Sequence, residues 1–149
     1  MSLAERPRPQ EDRDSAPWWA AVRRHELTVQ RCDGCGVPRF PPRAVCNRCR
    51  SRAWSWLPVS GRATVYSWVV THQVFAPGLA DEVPYTVLLV RLAEAPDILM
   101  YGNLDGPGEP YADAPVRALF ADAADDLTLV QWRLEDPAAR PVPDLPGSA

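Results

Sequence analysis

All four cysteines of the 149-residue chain lie in one short segment, Cys32-Asp33-Gly34-Cys35 and Cys46-Asn47-Arg48-Cys49, with ten residues between the pairs. Each C-x-x-C turn curls so that two sulfurs face one centre while backbone N–H groups face the sulfurs. Two such turns opposite each other make a tetrahedral four-thiolate cage, the preferred geometry of structural zinc. Gly34 and Gly36 give the first turn a permissive backbone; the second carries Arg50 where the first has Gly36, which predicts a less relaxed turn. Residues 37–45 hold little apolar mass, so a ribbon this small needs a staple. Zinc supplies on the order of 10 kcal/mol in isolated finger peptides, mostly as folding free energy. Iron in a rubredoxin-like site uses similar ligands. Two disulfides would need an oxidising compartment. A thioredoxin-like redox pair needs one C-x-x-C on a βα unit, not two facing turns. Four protein ligands leave the metal no open position for water, which points to a structural role and away from metal catalysis.

The remaining chemistry is sparse. All 16 basic residues are arginine, so a lysine Schiff base and a P-loop lysine are excluded. The two histidines are His25 and His72. His72 ends a strand-like run beside Gln73 without an obvious acid or nucleophile nearby, and it is read as structural, so no catalytic residue is expected. No stretch approaches the 18 apolar residues of a membrane-spanning helix. The first residues are polar and proline-containing and lack the apolar run of a secretory signal. The expected compartment is the cytoplasm, with no membrane partner.

Hydrophobic patterning divides the chain into four parts. Residues 1–17 read as a disordered leader. Residues 18–57 read as a short aromatic helix followed by the ribbon. The helix is expected over 18–27, with Asp14 or Ser15 as cap and Pro17 in its first turn. Residues 28–31 look like a lead-in to Cys32. Residues 58–135 contain five strand-like runs: 61–73, alternating in a single phase, then 84–92, 98–104, 116–120 and 127–134. The acidic run 122–126 turns the last hairpin, and residues 136–149 form a Pro-rich tail. Five strands without a long helix between them predict a mainly β protein, with the ribbon followed by a five-stranded OB-fold barrel, since closure removes exposed sheet edges.

Charge is unevenly spread. Residues 23–62 carry nine arginines against two acids, a local +7, whereas residues 63–149 carry four against thirteen, a local −9. The basic half is expected to face anions, and Arg43 and Arg48 are candidate contacts for the phosphates of coenzyme A. Nucleic acid is the alternative partner, but single-strand binding wants aromatic platforms on a basic barrel, and here the barrel half is acidic. Among six tryptophans, Trp54 and Trp56 are expected between ribbon and barrel, and Trp68 and Trp132 in the core or on a barrel face. Trp18, Trp19, Val22 and Leu27 are expected to stay uncovered by the small ribbon and to form a partner-binding helix.

The order of parts resembles a known family. A short aromatic helix, a four-cysteine ribbon and five strands joined by Val59-Ser60-Gly61-Arg62-Ala63-Thr64-Val65-Tyr66-Ser67-Trp68 are similar to the acyl-CoA-associated ribbon-plus-OB proteins, domain of unknown function 35. Pro84-Tyr85-Thr86-Val87-Leu88-Leu89-Val90-Arg91-Leu92 and Tyr101-Gly102-Asn103-Leu104 support the likeness, which covers residues 17–134. The resemblance implies a non-catalytic accessory subunit of a thiolase, a thiolase-like aldolase or an enoyl-CoA hydratase. It implies a place in lipid or steroid metabolism, a structural Zn2+ on Cys32, Cys35, Cys46 and Cys49, and a coenzyme A thioester shared with the partner.

Overall fold

The computed structural model of the chain describes residues 7–139. Helix α1 (Ala16–Arg23) is followed by strands β1 (Thr28–Cys32), β2 (Pro38–Arg39) and β3 (Trp54–Pro58), which form a small antiparallel sheet in the order β2-β1-β3. Five longer strands follow: β4 (Arg62–Thr71), β5 (Tyr85–Leu92), β6 (Leu99–Asn103), β7 (Pro115–Ala124) and β8 (Leu127–Leu134), in the order β6-β5-β4-β7-β8. A parallel bridge between Leu104 and Trp132 brings the two edges together, and the Asp105 N–H donates to the Trp132 carbonyl at 2.8 Å. A meander of three strands, two further antiparallel strands and a parallel closure is the OB arrangement that the sequence predicts. Among the described residues, no helix is long and apolar enough to cross a membrane.

Closure depends on a glycine. A Cβ added to Gly102 of β6 would stand 2.7 Å from the Trp132 ring and 2.8 Å from the Val130 carbonyl oxygen. Trp132 is fully buried, and around it pack Val65, Leu88, Val90, Leu92, Met100, Val116 and Leu134. Side chains therefore fill the barrel interior.

The same core continues into the ribbon half. Trp18, Val22, Leu27 and Val29 belong to one buried cluster with Val65 and Trp132. This corrects the expectation that Trp18, Val22 and Leu27 are left uncovered. Helix α1 packs on β7 and β8 of the barrel as well as on β1, so the covering surface comes from residues about a hundred positions away. Trp18 is 6% exposed, its indole N–H donates to the Thr28 carbonyl at 3.0 Å, and its ring packs edge-on against Trp19. Trp19 is half-buried. Trp54 and Trp56 pack edge-to-face on each other, and Trp56 leans on the shared core.

Three local expectations also change. The helix ends at Arg23, because His25 takes a left-handed backbone (φ 60°) and the N–H groups of Arg24, His25 and Glu26 fold back onto Ala21 and Val22. Residues 28–31 are no mere lead-in; they make the central strand of the ribbon sheet. Strand β4 does not keep one phase: a bulge between Val65 and Ser67 shifts it by one residue. Ala63 and Val65 face inward before the bulge, and Trp68 follows on that side after it, opposite buried Leu88.

The described part of the leader is tied down. Arg8 reaches Asp126 at 2.7 Å, Glu11 pairs with Arg23 at 2.5 Å, and Asp12 and Ser15 exchange two hydrogen bonds. Ser15 precedes α1, but its side chain does not cap it. Residues 1–6 and 140–149, which hold the rest of the expected leader and tail, lie outside the described residues.

Gly102→Ala should cost about 2 kcal/mol through the clash with Trp132 and the Val130 carbonyl. Urea unfolding followed by tryptophan fluorescence measures it, and wild-type stability would remove Gly102 as the closure point.

Candidate metal centre and interaction surfaces

The two C-x-x-C turns are built alike. The Gly36 N–H donates to the Cys32 carbonyl at 2.8 Å, and the Arg50 N–H donates to the Cys46 carbonyl at 2.9 Å. Both closing residues take the left-handed backbone, Gly36 at φ 72° and Arg50 at φ 62°. The second turn therefore carries the strain that its sequence predicts, since a side chain at that φ costs about 1–2 kcal/mol. The turns are hung on the ribbon sheet: Cys32 ends β1, the Asp33 N–H bonds the Ala53 carbonyl, and the Cys46 N–H bonds the Ser51 carbonyl.

The four sulfurs lie within 4.8 Å of one another. Cys32 and Cys49 stand 3.5 Å apart at Sγ, and Cys35 and Cys46 stand 3.7 Å apart. A tetrahedron with metal–sulfur arms of about 2.3 Å has edges of about 3.8 Å, so the donor set fits Zn2+. All four cysteines are free, as a metal cage requires. Backbone donors favour thiolate at the first sulfur of each turn. The N–H groups of Cys49 and Arg48 bring Cys46 down to about 6. The Cys35 N–H lowers Cys32 against the opposing effect of burial. At Cys49 the Ser51 N–H favours thiolate, but the neighbouring Cys32 sulfur and burial outweigh it and push the thiol up to about 11. Four adjacent thiolates repel one another, and a divalent cation at the centre removes that repulsion.

Gly34 sets how closely the turns approach. A Cβ there would meet the Ser51 Cβ at 3.0 Å and the Cys49 sulfur at 3.3 Å, whereas a Cβ on Gly36 would meet nothing within 4 Å.

The other sequence candidates are dispersed. Arg43 and Arg48 are both exposed; Arg43 lines a cleft on the ribbon, and Arg48 sits in the second turn with its N–H toward Cys46. His72 is exposed just beyond β4. His25, on the other hand, joins the two halves: its ring stacks on Phe120, and Nε2 lies 3.0 Å from Asp122, which also accepts from the Thr128 hydroxyl at 2.7 Å.

Sequence reasoning missed two surfaces. One is the outer face of β4-β5-β6. Val69 pairs across from Val87, and Leu89 from Tyr101, on the side opposite to Leu88 and Val90. Val69 is 60% exposed and Tyr101 72%, and the loop after β4 adds Phe75 at 70%. Arg91 lies over the exposed Tyr66 ring, 5.0 Å from its centroid. The signal was present in Val69-Val70 and Val87-Leu88-Leu89-Val90, where both alternate positions are apolar. The second surface is the cleft beside Arg39, whose burial no local pattern announces.

A ribbon carrying a four-sulfur cage, joined to a closed five-stranded barrel, defines a zinc-ribbon plus OB-fold protein. Residues 19–55 match the ChsH2 rubredoxin-like zinc ribbon domain and residues 56–121 the ChsH2 C-terminal OB-fold domain. The chain belongs to this ChsH2/DUF35 family. It is 37% identical over 132 residues to a probable enoyl-CoA hydratase alpha subunit of Thermomonospora curvata, covering 87% of this chain and 40% of that protein. It is 36% identical over 131 residues to the 3-oxo-4,17-pregnadiene-20-carboxyl-CoA hydratase alpha subunit of Mycobacterium tuberculosis, with 87% and 40% covered. The chain thus spans about two fifths of the length of these relatives. A chain of a solved structure described as an Ltp2-ChsH2(DUF35) aldolase superposes with a TM-score of 0.77 at 35% identity, covering 85% of this chain and 98% of that one.

Gly34→Ala should lower metal content, because Ser51 and the Cys49 sulfur must each give way by a few tenths of an ångström. Gly36→Ala should keep the metal and cost about 1 kcal/mol, through its backbone angle alone. Elemental analysis and thermal unfolding read both; equal metal content in the two variants would dismiss the close-approach argument.

Proposed function

We propose that this chain is a non-catalytic accessory subunit. It docks on a thiolase-like aldolase, or on an enoyl-CoA hydratase, and helps shape a pocket for a bulky acyl-CoA. Its own ribbon is stapled by one structural Zn2+ on Cys32, Cys35, Cys46 and Cys49. The observation that carries the reading is the likeness to the ChsH2(DUF35) chain of an aldolase, 98% of which this chain covers. Two relatives named as hydratase alpha subunits support the acyl-CoA context.

The structure supplies a physical route. The barrel interior is filled by Trp132 and its neighbours, so an acyl group meets this protein at a surface. Large exposed apolar side chains gathered on one sheet face mark an interaction site, and exposed Val69 and Tyr101, with half-buried Val87 and Leu89 between them, form such a face. An aromatic anchor such as Tyr101 supplies contact area with few rotors to immobilise, which favours tight docking. Coenzyme A is then held at the boundary between this chain and the enzyme rather than within the barrel.

Retro-aldol turnover by the aldolase subunit should rise when this chain is added, and the zinc-loaded chain alone should give none. Val69→Asp combined with Tyr101→Arg should weaken association at least tenfold in calorimetry while leaving zinc content and thermal midpoint unchanged. Undiminished affinity of that variant would remove the sheet face from the interface. Absence of association between the wild-type chain and both enzyme classes would remove the accessory role.

A further inference from the structure

The ribbon carries an open cleft of about 560 Å3, lined by Asp14, Arg39, Phe40, Arg43, Val45 and Asn47, among others. Arg39 is 8% exposed. Its Nε donates to the Gln30 side-chain oxygen at 2.8 Å, and its Nη2 donates to the Arg43 carbonyl at 2.9 Å. Both acceptors are neutral. Its Nη1 is buried with no partner among the described residues. The same Gln30 oxygen accepts the Arg43 N–H at 2.8 Å, so one fully buried amide fixes the guanidinium and the loop beside it. Among the described residues, the exposed Arg43 guanidinium hydrogen-bonds the Pro42 carbonyl at 3.0 Å and feels Asp12 through a weak, longer-range attraction.

Buried cations are ordinarily matched by an anion, because desolvation otherwise goes uncompensated. Here no described carboxylate lies within 4.0 Å of Arg39 or Arg43, although six arginine–carboxylate pairs form elsewhere among the described residues. Asp14, the acid on the cleft wall, pairs instead with Arg13 at 3.7 Å. The cleft therefore presents an exposed guanidinium backed by a fixed, un-neutralised one. Phe40 and Val45 give it an apolar rim, and Asn47 adds an amide. An enclosed pocket would bury most of a small ligand, but this cleft is open on one side and suits a protruding side chain.

We propose that the cleft receives a carboxylate side chain, flanked by an apolar residue, from the enzyme subunit on which this chain docks; the proposal rests on the accessory-subunit reading above. Arg43 leaves the Pro42 carbonyl to grip the carboxylate. Arg39, held from behind by Gln30, supplies a positive field where water is thinned and charges are poorly screened. Complementarity of charge commits the occupant: the ribbon half is strongly basic, and the buried Arg39 has no described carboxylate within 4.0 Å, the Asp12 and Asp14 acids nearby standing too far to pair with it.

The test uses the full-length, zinc-loaded chain and the aldolase subunit. Arg43→Glu should weaken association at least tenfold, and Arg48→Glu, outside the cleft, by less than twofold. Val45→Glu places a competing carboxylate on the rim and should weaken association comparably. Because Arg43 and Val45 are exposed, these variants should keep their zinc and fold. Arginine modification by phenylglyoxal gives a second readout: Arg43 should react at least fivefold more slowly in the complex, and Arg48 at an unchanged rate. Wild-type affinity for Arg43→Glu, with Arg43 equally reactive in both states, would overturn the cleft assignment and leave the accessory role standing. Protection of Arg43 by inorganic phosphate but not by the enzyme would also overturn it, in favour of a small anion. Failure of the wild-type chain to associate would overturn the accessory role, and the cleft's occupant with it.

Discussion

One buried core joins the two halves of this protein, and its continuity decides how every surface is presented. Val29 on β1 and Val22 on α1 are fully buried together with Val65 and Trp132 of the barrel. The ribbon is too small to bury an apolar core of its own. It borrows one from the barrel on one side and is stapled by four cysteines on the other. Cys32 stands at the junction, since it ends the strand that carries Val29 and also supplies a ligand to the cage. Movement of β1 would disturb packing and the sulfur cage together, so a metal in the cage and the hydrophobic core would hold the same strand from opposite ends.

The charge asymmetry takes part in the same joint. The expectation was that the basic half would face the anions of a partner. Some of that charge is spent internally: Arg8 pairs with Asp126, His25 with Asp122, and Arg23 reaches the Asp126 carbonyl at 3.5 Å. Asp122 is held below the ordinary carboxylate range, first by the hydrogen bond to His25 and then by Thr128. These pairs are largely exposed, so each contributes little to stability. Their effect is orientational, because they run across the junction where α1 meets the last hairpin. Arg39 and Arg43 at the cleft are among the described arginines that this internal pairing leaves over, and Arg39 is the buried one.

The sequence was most legible where chemistry is local. Two C-x-x-C turns determine a cage whatever surrounds them, and the substitution of Arg50 for Gly36 announced a strained turn that the backbone confirms at φ 62°. The five barrel strands followed from alternation and turn residues, while the three ribbon strands, β1 among them, did not. Distant packing was not legible. Trp18 looked uncovered because its helix packs on β7 and β8, far along the chain, and because its ring meets Phe40 across the ribbon; no local pattern reports either meeting. The bulge near Tyr66 was hidden because both alternate positions of β4 are apolar, so neither phase of the strand violates the pattern. Arg39 reads as one more surface arginine until the fold closes over it and Gln30.

A protein that contacts an enzyme through two separate features gains from holding them at a fixed separation. The outer sheet face belongs to the barrel and the arginine cleft to the ribbon. If the joint between them were loose, ordering it would consume part of the free energy of docking, and each feature would act almost alone. The shared core removes that cost in advance. Substitutions buried far from either surface, such as Val29→Ala, would then weaken association without touching a contact, by loosening the joint. Val29 is buried, and loss of two methyl groups there should cost about 1–2 kcal/mol of stability. A loss of partner affinity beyond the fraction unfolded would show that rigidity between ribbon and barrel is itself part of the binding site.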